Sequence, residues 1–133
     1  MAGELVPIPV KTLELLRSAF GKDGIPMPFV KEIFLMSCHV AGTSYREGID
    51  EVAEDLKRDD LLVFKREADN PHDELAIMIL NEKGEKLGYV PKQKNEVLAR
   101  LMDAGKLVFG KVEGQGKVEE WLKIDIRTYM RDM

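Results

Sequence analysis

Asp69-Asn70-Pro71-His72-Asp73-Glu74-Leu75-Ala76-Ile77-Met78-Ile79-Leu80, followed shortly by Leu87-Gly88-Tyr89-Val90-Pro91, decides how this chain is read. A polar loop containing a proline leads into an apolar run. Asn81-Glu82-Lys83-Gly84 is a polar turn with glycine last, and it feeds a second strand that closes on Gly-aromatic-apolar-Pro, a hairpin pattern. Pro91 is expected in the first turn of the next helix, where its missing N–H costs nothing. Val97, Leu98, Leu101 and Met102 supply that helix's buried stripe, and Gly105 its C-terminal cap.

Outward from this hairpin the chain reads as short strands with helices between them. Residues 33–42 form a first strand, apolar at its start and alternating later, and Gly42-Thr43-Ser44-Tyr45-Arg46 leave it as a loop. Ile49, Val52, Ala53 and Leu56 recur at helical spacing opposite a row of acids. This spacing predicts an amphipathic helix of roughly two to three turns, ended by Asp59-Asp60. Residues 61–67, 75–80, about 86–90 and 107–112 are further strands, and Gly114-Gln115-Gly116 is read as a flexible turn. In the last strand Leu122, Ile124, Ile126 and Thr128 point one way, with Trp121, Lys123, Asp125, Arg127 and Tyr129 on the other face. About six short strands with two inserted helices imply a mainly β (α+β) domain, a small barrel or strongly curved sheet. Ahead of it, Leu13, Leu15, Leu16, Ala19 and Phe20 suggest a short helix over 11–20, and residues 22–28 cannot continue it. The expected organisation is an N-terminal helical extension and linker over 1–30, then a barrel domain over 31–133.

Bulk properties fit one domain of 133 residues, 44% hydrophobic and 33% charged. No stretch approaches the ~20 apolar residues that span a bilayer, and the N-terminus lacks the basic and apolar regions of a secretory signal. A single cysteine, Cys38, fits a reducing compartment, so a cytoplasmic location is expected. The net charge of −4 counts against a strong, non-specific nucleic-acid binder. That acid is concentrated: Glu47, Asp50, Glu51, Glu54, Asp55, Asp59 and Asp60 face only Lys57 and Arg58 in their segment. A local basic or end-recognising site elsewhere is compatible with this balance, whereas a broad phosphate-coating surface is not.

The order Val40-Ala41-Gly42-x-x-Tyr45, then Asn70-Pro71-x-Asp73-x-x-Ala76-Ile77, then Gly84-x-x-Leu87-Gly88-Tyr89-Val90-Pro91-Lys92 resembles the HIRAN domain family. That module is known from the N-terminus of helicase-like transcription factor and from free-standing bacterial proteins, the type this chain is most similar to. The resemblance covers roughly residues 34–129. It implies an antiparallel barrel related to the OB-fold and, from its eukaryotic members, capture of single-stranded DNA at a free 3′-hydroxyl end. Carried over by position, Tyr45 matches an aromatic of the first loop. Ser44 stands where DNA-binding members have a basic residue, and Arg46 where they have an aromatic. Asn70 and Asp73 match, His72 replaces the loop aromatic with another flat ring, Lys92 matches the pocket lysine, and Trp121 aligns loosely with a late aromatic.

The chemistry of end recognition needs a ring to stack on the terminal base, an acceptor for the terminal hydroxyl and a cation for the nearest phosphate. Tyr45 or His72 can stack, Asp73 can accept the hydroxyl proton, and Arg46 and Lys92 can meet phosphate. A bland reading stands beside each of these. Asn-Pro-x-Asp is good turn chemistry without a ligand, Lys92 suits a solvated first helical turn, and Tyr89 and Trp121 suit packing. Cys38 and His39 point to opposite strand faces and cannot chelate together. His72 and Asp73 alone are too few for a metal. Without a phosphate loop, nucleophile elbow or clustered acids beside a lysine, neither an enzyme, nuclease included, nor a metal or cofactor site is expected. The reading is a non-catalytic module for single-stranded DNA ends in repair or processing, working with DNA-processing proteins. The alternative is a protein-interaction module that docks a basic partner through the acidic helix at 49–60.

Overall fold

Alternation in the C-terminal region builds the longest ladder. The computed structural model describes residues 31–43 and 48–132, and its strands are β1 (Lys31–His39), β2 (Leu61–Arg66), β3 (Ile77–Leu80), β4 (Lys86–Tyr89), β5 (Leu107–Val118) and β6 (Trp121–Asp132). Two helices interrupt them, α1 (Ile49–Glu54) and α2 (Asn95–Asp103). The expected helix at 11–20, Tyr45 and Arg46 lie outside the described residues. All six strands form one antiparallel sheet in the order β1-β6-β5-β2-β3-β4. Leu122, Ile124, Ile126 and Thr128 are buried and their neighbours along β6 are not, as the alternation requires.

The sheet curls until its two edges meet. Past His39, Val40 still bonds β6, donating its amide to the Ile124 carbonyl (2.9 Å), and the chain then changes partner: Ala41 exchanges amide and carbonyl with Tyr89 at 2.8 and 2.9 Å. This one bridge joins the β1 side to β4 and closes a half-barrel of the OB-like kind. Gly88 makes the closure possible. A Cβ at that position would run into the carbonyl oxygen of Ala41 and lie 2.7 Å from Val40 Cγ1.

Inside the curl, Val40, Leu62, Phe64, Ile77, Ile79, Leu87, Val108, Ile124 and Ile126 form the main core, joined by Val52 and Ala53 of α1 and Leu98 and Ala99 of α2. Cys38 belongs to this core, and burial pushes its thiol up to about 11 against the opposing pull of Lys94, so it stays protonated. A second cluster occupies the other face of the sheet: Val63, Met78, Leu80, Leu107 and Phe109. Strands β2, β3 and the start of β5 are therefore buried on both faces, which accounts for their unbroken apolar runs.

Five sequence expectations are corrected. Val97, expected in the buried stripe of α2, is exposed. Gly114-Gln115-Gly116 is not a turn. These residues pair with Asp125, Ile124 and Lys123, a bulge falls between Val112 and Gly114, and the hairpin turns at Glu119-Glu120. Glycine's weak strand propensity is overridden there by pairing with an already extended β6. The acidic helix spans only Ile49–Glu54. Asp60 draws the chain away: its carboxylate accepts the Lys57 amide at 2.8 Å, and the Asp59 amide and Asp60 carbonyl pair with Val112. Pro91 lies ahead of α2 in a separate turn, where its carbonyl accepts the Lys94 amide at 2.9 Å. Finally, Leu75 and Ala76 belong to the loop rather than to β3. Gly105 does cap α2, at φ 88°. Its own amide bonds Met102 and the Lys106 amide bonds Leu101, the paired pattern that satisfies a helix's last carbonyls.

Candidate nucleic-acid interface

The Asn-Pro-x-Asp loop is built from its own side chains. Asn70 Oδ1 accepts the amides of His72 (2.8 Å) and Asp73 (3.2 Å), while its Nδ2 donates to Glu67 Oε1 at 2.7 Å. Asn70 is thus spent on the turn. Asp73 Oδ1 accepts the Leu75 amide at 2.9 Å, and Oδ2 accepts from Asn95 Nδ2 at 2.7 Å. Partial burial works against its charge. The Leu75 amide, the Asn95 carboxamide and the nearby Lys92 and Arg66 outweigh that and hold the carboxyl below its usual range. Asp73 is therefore ionised and an acceptor only, and each oxygen retains a further lone-pair position.

Arg66 holds the loop down. Its Nη1 donates to the Ala76 carbonyl (2.8 Å) and its Nη2 to the Glu74 carbonyl (3.0 Å), and Nε and Nη2 fork onto Asp103 of α2 at 2.9 and 3.1 Å. Arg66→Ala is expected to destabilise the protein by about 1–2 kcal/mol, the worth of losing charge-assisted bonds to backbone carbonyls. Amide exchange at Leu75 and Ala76 should accelerate ahead of the sheet, and Arg66→Lys should restore little, because an ammonium cannot make the planar fork.

This loop, the end of β4 and the strand-switch residue Ala41 enclose a cleft of about 320 Å³. Ala41, Ala76 and Val90 give it apolar walls, and Tyr89 lies beside them. Asn70, His72, Asp73 and Lys92 supply the polar lining. Tyr89 is anchored rather than free: its hydroxyl donates to Glu67 Oε1 at 3.0 Å and accepts from Lys86 Nζ at 3.0 Å. His72 and Lys92 are exposed.

Four of the seven residues that the sequence singled out are brought together here, Asn70, His72, Asp73 and Lys92. Trp121 does not line the cleft. It stands 38% exposed at the start of β6 with its ring edge-on to His39, centroids 5.6 Å apart. Sequence reasoning missed Asn95, Arg66 and Glu67, which position the loop. Only Asn95 carried a signal, as an amide side chain at the head of a helix whose other buried positions are apolar. Among the described residues no group of three or more His, Cys, Asp or Glu side chains could hold a metal ion, and no helix is long and apolar enough to cross a membrane.

The acidic segment lies elsewhere. Val52, Asp55, Leu56 and Asp60 border the turn at Asn81, Glu82 and Lys83, at the far end of β3 from the cleft. Five residues of extended chain separate the two ends, roughly 16 Å, which exceeds the screening length of ~8 Å at physiological ionic strength. Some of its charge is also used internally, since Asp59 pairs with Arg127 and Asp50 with Lys117. Asp55 and Asp60 thus border a different pocket from the cleft.

Comparison with known proteins gives one consistent result. The family model of the HIRAN domain matches residues 33–131. Over 65 residues, 49% of this chain, the sequence is 32% identical to helicase-like transcription factor of Oryctolagus cuniculus, of which the chain spans 6%. A protein from Lactobacillus plantarum of known crystal structure superposes with a TM-score of 0.71 at 23% identity, covering 78% of this chain and 99% of that one. The HIRAN domain of human helicase-like transcription factor gives a TM-score of 0.57 at 21% identity, covering 75% and 78%. The two structures share the fold, and the family match takes in both the Asn-Pro-x-Asp loop and the Gly88 seam: this chain belongs to the HIRAN domain family.

Proposed function

We propose that this domain holds single-stranded DNA by a free 3′-hydroxyl end, contributing recognition without catalysis to DNA repair or processing. Membership of the HIRAN family supports the broader part of that reading, a nucleic-acid-binding module. One observation carries the finer part. An ionised acceptor, Asp73, is fixed by Leu75 and Asn95 in an apolar-walled cleft with Lys92 at the same site. A terminal sugar hydroxyl can donate to this carboxylate, while a terminal phosphate would meet like charge. Lys92 can reach the adjoining phosphate, and the exposed ring of His72 can stack on the last base. Tyr45 and Arg46 complete the proposed contact set.

Stacking of one base on a ring contributes ~1–3 kcal/mol. Titrating short single strands should therefore show His72→Ala binding roughly tenfold more weakly, and His72→Phe at least as tightly as the natural residue. If both variants bind as the parent does, His72 is not a stacking platform. If none of the three proteins binds at low salt, the DNA reading itself fails.

A further inference from the structure

Asp73 has room for two donors from a ligand, and the sugar at a deoxyribose end brings one. Its Oδ1 accepts the Leu75 amide at 2.9 Å and its Oδ2 the Asn95 carboxamide at 2.7 Å. A carboxylate offers about four lone-pair positions, so each oxygen keeps one open, and the side chain is only half-buried. Among the described residues lining the cleft, Asp73 is the one carboxylate. Asn70 Oδ1 already accepts the amides of His72 and Asp73, and Lys92 has donors only. Ala41, Ala76 and Val90 are the apolar walls. A sugar entering such a cleft displaces the water that served the carboxylate, and an oxygen left without a new donor weakens binding.

We infer that the cleft prefers a strand end whose last sugar is ribose, its neighbouring 2′- and 3′-hydroxyls donating one to each oxygen of Asp73. The inference rests on the reading that the cleft receives a 3′-hydroxyl end, and it names the sugar. A 3′-hydroxyl alone satisfies one oxygen and leaves the C2′ methylene against the other. A vicinal diol satisfies both. An acidic side chain also reads the ribose 2′-hydroxyl in dinucleotide-binding folds, and that hydroxyl is the group by which proteins tell RNA from DNA. The cleft volume of about 320 Å³ lies at the lower end of the ~300–1,000 Å³ of small-molecule sites. It suits one terminal nucleoside, so the preference belongs to the last sugar. An RNA 3′ end and a DNA strand closed by a single ribonucleotide share this chemistry.

The test is fluorescence anisotropy of the intact protein with strands of one sequence, labelled at the 5′ end and differing only in their sugars. DNA closed by one ribonucleotide should bind about tenfold more tightly than all-DNA, the effect of one further hydrogen bond to a charged group. A terminal 2′-O-methyl ribonucleotide keeps the oxygen but has no proton to donate, and should lose that gain. An all-RNA strand should likewise lose affinity when its last nucleotide alone is made 2′-deoxy. Equal or weaker binding of the ribonucleotide end, with 3′-hydroxyl DNA still preferred over 3′-phosphate DNA, overturns the inference and leaves the end-capture reading standing. A gain that survives 2′-O-methylation, or that persists in RNA with a terminal deoxynucleotide, also overturns it. Binding of none of these strands at low salt overturns both.

Discussion

Gly88→Ala is expected to lower stability by on the order of 3 kcal/mol, the upper range for forcing atoms into a packed site. The added methyl meets the carbonyl oxygen of Ala41 and Val40 Cγ1. The first of these is backbone, held on both sides by the bridge to Tyr89, so no rotamer change relieves it. The seam must open, and the Ala41 wall of the cleft moves with it. Urea denaturation should show a lower midpoint with little change in slope, and the melting temperature should fall by roughly 10 °C or more. Gly114→Ala, on β5 where an added methyl would meet nothing within 4 Å, serves as a control for generic disturbance. A Gly88→Ala protein as stable as the parent would show that the bridge does not close the barrel.

The second large effect falls on recognition. Asp73→Ala should weaken binding of a 3′-hydroxyl strand by about 10–100-fold, the worth of a hydrogen bond to a charged group, and should abolish any preference over a 3′-phosphate strand. Part of the change will be structural, because Leu75 and Asn95 lose their acceptor. Arg66→Ala separates the contributions: it loosens the same loop but leaves the carboxylate, so it should lower affinity while keeping the end preference. The pH dependence has a definite sign. Asp73 titrates below the ordinary carboxylate range in the folded protein, so its support of the loop is complete above the unfolded-state value and is lost as pH falls through the folded one. End preference should accordingly survive mild acid and vanish only below the usual carboxylate range.

The parts legible in the sequence were those set by local chemistry. β6 declared itself by period, Gly105 by its place after an apolar stripe, and the Asn70 turn by side chains that satisfy their own backbone. The resemblance to the HIRAN family added the grouping of Asn70, His72, Asp73 and Lys92, which no spacing rule could have supplied. What escaped was decided by partners distant in sequence. Gly114 and Gly116 look like a turn until β6 is laid beside them. The helix after Ile49 looks longer until Val112 pairs with Asp59 and Asp60. Arg66 reads as the end of a strand, and only folding sets Asp103, 37 residues away, against it. Trp121 was drawn into the candidate site by an aromatic match, and its ring sits beside His39 instead.

The central claim is that Asp73 makes the cleft a receptor for a 3′-hydroxyl end. It is tested most directly by fluorescence anisotropy of the intact protein with one short single strand ending in either 3′-hydroxyl or 3′-phosphate, at two salt concentrations. The account predicts tighter binding of the hydroxyl end at both, with a salt dependence small enough to reflect a few phosphate contacts. Equal binding of the two ends, or no binding of either at low salt, would contradict it.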